Sequence, residues 1–79
     1  MTRCQRFQKE MIEKLNEEKN HNMKRIREWM DRLVKSENNS LKSDEEKERF
    51  ATKVQDMIMW YSDKINKIDK MIEEIDSLY

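Results

Sequence analysis

From residue 44 onward, apolar side chains recur at alternating intervals of three and four: Ala51, Val54, Ile58, Tyr61, Ile65, Ile68, Ile72, Ile75 and Tyr79. That spacing is the seam of a helix laid along another helix, and here it is sustained over four heptads. Phe50, Met57, Met71 and Leu78 form a second row beside it, broken by Lys64. The resulting stripe is wider than a two-helix seam requires.

The first half of the chain carries the same rhythm less regularly. Cys4, Phe7, Met11 and Leu15 fall on one face with Ile12 alongside. Met23, Ile26, Met30 and Leu33 resume it, flanked by Trp29 and Val34. Between them runs the wholly polar stretch Asn16-Glu17-Glu18-Lys19-Asn20-His21-Asn22. Leu15 and Ile26 are about three helical turns apart, so both pieces share a face, and the spacing predicts one helix over about 3–36. The alternative is that the polar stretch breaks this helix, giving three helices in all.

The strongest interruption is Ser36-Glu37-Asn38-Asn39-Ser40-Leu41-Lys42-Ser43. Asn and Ser side chains bond to nearby backbone groups and compete with helix, so a loop is expected over 37–43. Ser43-Asp44-Glu45-Glu46 then reads as a capping box opening a second helix over about 44–78. The expected fold is all-α: a single domain over 1–79, an antiparallel helix-loop-helix hairpin. Its wide stripe predicts dimerisation into a four-helix bundle.

Charge sharpens the hairpin. The 17 basic and 17 acidic residues cancel overall, but residues 1–43 hold 11 basic and 7 acidic groups and residues 44–79 hold 6 and 10. The halves therefore carry +4 and −4. Folding about residue 40 sets Arg3 against Asp76, Arg6 against Glu74, Glu10 against Lys70, Glu13 against Lys67 and Glu17 against Lys64. Near the loop the same fold pairs Arg32 with Glu48 and Lys35 with Glu45, and it leaves Arg27 near Lys53 as a clash. Such pairs set register more than they stabilise.

Composition mainly excludes. The 79 residues include no Gly and no Pro, which removes glycine-dependent phosphate loops. A chain of this length buries only about 60% of its unfolded surface, so a lone core is marginal. One Cys cannot form an intrachain disulfide. No apolar run approaches the roughly 20 residues of a bilayer span, so a cytoplasmic protein without membrane contact is expected. Abundant Lys, Glu, Asn, Ile and Met with a single Ala is the bias of an AT-rich coding sequence, such as those of many phages and some bacteria.

Catalytic chemistry lacks its parts. Cys4 and His21 stand about 25 Å apart on one straight helix, too far for a nucleophile–base pair. Glu18-x-x-His21 has a metal-ligating spacing, but a carboxylate-bridged site needs a second copy and further acids. No enzyme activity, metal or cofactor is expected.

Two binding readings remain. In the first, Phe50, Met57, Met59, Trp60, Met71 and Leu78 bind a partner, either a second copy or another helical protein. The chain would then be an accessory or regulatory interaction module. Trp60 is expected to face Asn20 and His21. In the second, His21, Lys24, Arg25, Arg27, Arg32 and Lys35 form a basic face that meets nucleic-acid phosphates beside a replication, repair or transcription machine. A net charge of zero weighs against that second reading.

Overall fold

The structure is a computed structural model and describes residues 2–78. It contains two long helices, α1 (Arg3–Glu37) and α2 (Asp44–Ser77), folded back as a hairpin. Among the described residues there is no strand. The molecule is a rod of 60 × 15 × 9 Å, a length close to the roughly 52 Å expected of a 35-residue helix.

Both helix starts are capped by side chains, which occupy backbone N–H groups that have no partner within the helix. At α1 the capping box is complete: Gln5 N donates to Thr2 Oγ1 (3.2 Å) and Thr2 N donates to Gln5 Oε1 (2.9 Å). Thr2-x-x-Gln5 is thus a second capping-box sequence, in addition to the one at Ser43. At α2, Glu46 N donates to Ser43 Oγ at 3.2 Å, the first half of the box expected there. Asp44, Glu45 and Glu46 place negative charge at the positive end of α2.

The helix α1 is unbroken through residues 16–22, so the three-helix alternative does not hold. Straight-chain Glu and Lys in that stretch are good helix formers, and they outweigh its lack of apolar residues. The connection over 38–43 turns without a single positive φ. Asn38 N donates to Val34 O (3.1 Å) and Asn39 N to Ser36 O (3.2 Å). Lys42 N then donates to Asn39 O (3.2 Å), and Asn39 Oδ1 accepts from Leu41 N (3.0 Å). These bonds take the place of a glycine-built turn.

The α2 seam is the predicted one. Val54 and Ile68 are buried, and Ala51, Ile58, Tyr61, Ile65, Ile72 and Ile75 are half-buried. Tyr79, its last member, lies outside the described residues. The α1 seam is different from the predicted row. Gln8, Ile12, Leu15, Lys19, Asn22, Ile26, Trp29, Leu33 and Ser36 point inward at heptad spacing, each buried or half-buried. Cys4, Phe7, Met23, Met30 and Val34 are exposed. The seam passes through four polar residues, and a line drawn through hydrophobic residues alone slips from Asn22 to Met23 and from Trp29 to Met30.

Register differs as well. Gln8 Nε2 donates to Ile75 O at 2.8 Å, whereas a fold about residue 40 puts residue 72 opposite Gln8. The interhelical ion pair among the described residues is Lys19–Asp69 at 2.8 Å. None of the seven pairs drawn from charge alternation forms an ion pair. The reason is geometric. Most of those residues occupy outward heptad positions, and Glu10, Glu13, Glu17, Lys64, Lys67 and Lys70 are all exposed.

Among the described residues, three apolar side chains are buried: Leu15, Val54 and Ile68. Asn22 and Ser36 are buried with them, and neither Asn22 Nδ2 nor Ser36 Oγ has a hydrogen-bond partner. An orphaned buried donor costs about 1–3 kcal/mol.

Two tests follow from this packing. Ile68→Ala should lower unfolding free energy by about 2–5 kcal/mol, while Asn22→Leu should raise it by about 1–3 kcal/mol. A destabilised Asn22→Leu variant in chemical denaturation would mean the amide has a partner in solution. Separately, a double-mutant cycle on Lys19 and Asp69 should give a coupling of about 0.2–1 kcal/mol that shrinks with salt. The same cycle on Glu13 and Lys67 should give none; coupling there would restore the register centred on residue 40.

Candidate functional site

A thin hairpin has two long sides flanking its seam, and the structure sorts the chain's chemistry between them. On one side, Gln5, Gln8, Lys9, Ile12, Glu13 and Asp76 line a shallow groove. Lys19, Met23, Ile26, Arg27 and Ile65 line a second groove further along that same side. By helical spacing, Cys4, Met11, Arg25 and Arg32 of α1 lie on the opposite side, with Phe50, Met57, Lys64, Met71 and Leu78 of α2. Arg32 and Phe50 line a common cavity there.

This second side holds most of the residues singled out for partner binding. Met71 and Leu78 are exposed, 46% and 69%. Met57 and Met11 are half-buried, and Phe7 is exposed one turn before Met11. Trp60 sits at the outer edge of the same side and is 49% exposed. It does not fill the polar gap in α1, as its expected facing of Asn20 and His21 would have it. Its ring meets Tyr61 edge to face at 4.9 Å, and Lys64 Nζ lies 3.9 Å from its centroid. By register the half-buried Tyr61, one residue on, stands opposite Asn22 instead. Met59 is exposed on the outer surface, away from this row. Phe50 is largely taken up within the hairpin, with Trp29 at 6.5 Å and Lys42 Nζ 5.1 Å above its ring.

The basic face is not a single surface. His21, Lys24, Arg25, Arg27, Arg32 and Lys35 are all exposed. Arg25 is held by Glu28 at 3.1 Å. Arg27 lines the groove on the first side. Arg32 turns to the second side, its guanidinium carbon 4.8 Å from the Trp29 centroid. Lys53 approaches the same indole at 5.8 Å, so the expected clash between Arg27 and Lys53 is replaced by cations shared over an aromatic ring. Sequence spacing groups the six by their helix. The hairpin regroups Arg32 and Lys35 with Lys42, a loop residue that spacing along α1 does not reach.

Glu18 and His21 are both exposed, and Cys4 is an exposed free thiol. Among the described residues no group of three or more His, Cys, Asp or Glu side chains converges to hold a metal ion. No described helix is long and apolar enough to cross a membrane. No family model matches the chain, and no curated protein or solved structure matches it.

Proposed function

We propose that the chain is a small non-enzymatic interaction module, an accessory or regulatory subunit, that acts by closing its apolar second side on a second copy of itself. The observation that carries this reading is the row of exposed Trp60, Met71 and Leu78 with half-buried Met57, continued across the hairpin by exposed Cys4 and Phe7 and half-buried Met11. Two helices cannot hide this row, and burying one such side chain contributes about 1.5–3 kcal/mol. Four helices around a common core can hide it.

Charge favours a second copy over a foreign helix. One helix half carries +4 and the other −4. A two-fold dimer that sets α1 of one copy beside α2 of the other brings opposite signs together at both edges. Met and Trp suit such a surface, because thioethers fill irregular gaps and indole combines apolar area with a polar edge. Lys64 interrupts the row, and its ammonium lies over Trp60, so its stem still covers apolar surface.

Sedimentation equilibrium at tens of micromolar protein should give a dimer. Met57→Glu combined with Met71→Glu should give a monomer with its helical circular dichroism kept. Lys64→Leu, which completes the row, should tighten the dimer. A wild-type protein that stays monomeric at several hundred micromolar would overturn the reading.

A further inference from the structure

At the loop end of the second side, beyond the apolar row, Arg32, Lys35, Ser36, Asn39, Lys42 and Phe50 line an open cavity of about 260 Å³. We infer that this cavity is a phosphate-binding site. The inference does not rest on self-association.

The cavity is assembled from two directions. Arg32, Lys35, Ser36 and Asn39 follow one another at intervals of three, one and three, which stacks them on one face at the end of α1. Lys42 is delivered from the other side by the turn that Lys42 N closes on Asn39 O. Three cations thus line a cavity to which no carboxylate contributes.

These cations are not spent elsewhere. The ion pairs among the described residues are Lys19–Asp69, Arg25–Glu28 and Arg49–Glu45, and none involves Arg32, Lys35 or Lys42. Two of the closing carbonyls of α1, Val34 O and Ser36 O, accept from Asn38 N and Asn39 N instead. Two of the three are also held in place. Arg32 lies over Trp29 and Lys42 over Phe50, at 4.8 and 5.1 Å from the ring centroids. A cation resting on a ring keeps its N–H donors free while losing part of its conformational freedom. An arriving anion then meets donors that are already arranged.

Ser36 gives a second, independent sign. It lines the cavity, is only 4% exposed, and its hydroxyl has no partner. Buried hydroxyls are nearly always paired. A phosphate oxygen drawn in between Lys35 and Lys42 supplies the missing acceptor. Arg and Lys donors with a hydroxyl are a donor set that suits a tetrahedral oxyanion. The same group is presented by free phosphate, by a nucleotide and by the backbone or end of a polynucleotide.

The test is a ¹⁵N-edited NMR titration of the full chain with inorganic phosphate at constant ionic strength, with chloride as the reference ion. Saturable shifts confined to residues around 32–50 are expected with phosphate and not with chloride. Arg32→Gln with Lys42→Gln should weaken binding by at least about tenfold, and Ser36→Ala should weaken it less. Lys14→Gln with Lys67→Gln removes as much charge elsewhere and should leave binding unchanged. Linear shifts, equal shifts in chloride, or equal losses in the two double variants would overturn the inference. Oligonucleotides with and without a 5′-phosphate identify the source. A preference for the phosphorylated strand assigns an end, equal binding of both assigns the backbone, and binding of neither beside a positive phosphate titration assigns a small phosphate ligand. Because neither Met57 nor Met71 lines the cavity, the Met57→Glu, Met71→Glu monomer should bind phosphate as the wild type does.

Discussion

Where only two helices pack, each turn offers the other helix one or two side chains and turns the rest toward water. This one constraint governs the molecule. It limits the buried apolar set among the described residues to Leu15, Val54 and Ile68. It makes register depend on a few polar contacts, Gln8 with the Ile75 carbonyl and Lys19 with Asp69. It also leaves any further apolar residue at the surface, whatever its hydrophobicity. Exposed Met and Trp here result from geometry as much as from composition, and a wide stripe on a narrow fold has to be covered from outside or remain wet.

The polar members of the α1 seam follow from the same constraint. A buried Asn in a helical seam destabilises it while fixing which register and partner it accepts. In a pair of helices without an interior, water is close to every layer, so Lys19 can lay its stem across the seam and carry its ammonium out to Asp69. Asn22, one turn on, has no comparable exit. Specificity and stability are opposed at that residue.

The fold was legible where one signal dominates. The isoleucine repeat of α2 and the Asn/Ser-rich connection gave the second helix and the loop almost to the residue. What could not be read was which α1 residues face inward, because Gln8, Lys19, Asn22 and Ser36 look like surface residues until their spacing is set against α2. Charge alternation misled for a related reason. Opposite charges recur so often in a chain that is 43% charged that some fold-back register always seems to match them. The candidate sites were legible only as composition. Met57, Met71 and Leu78 could be seen beside the seam, but the inward turn of Phe50 toward Trp29 and the meeting of Arg32 with Lys42 depend on tertiary placement.

The loop also sets an order on how the hairpin comes together. Residues 38–43 hold the two helices side by side, so layers near Leu33 and Ala51 close small chain loops, while those near Gln8 and Ile75 close nearly the whole chain. Closing entropy grows with loop length. With no Pro in the chain, the slow isomerisation that delays many folding reactions is absent. Layers beside the turn therefore carry the smaller closing entropy, and those far from it the larger. The two surfaces consequently differ in what their assembly requires: the basic cavity is built beside the turn, where closing entropy is smallest, while the apolar row runs toward layers that close long chain loops.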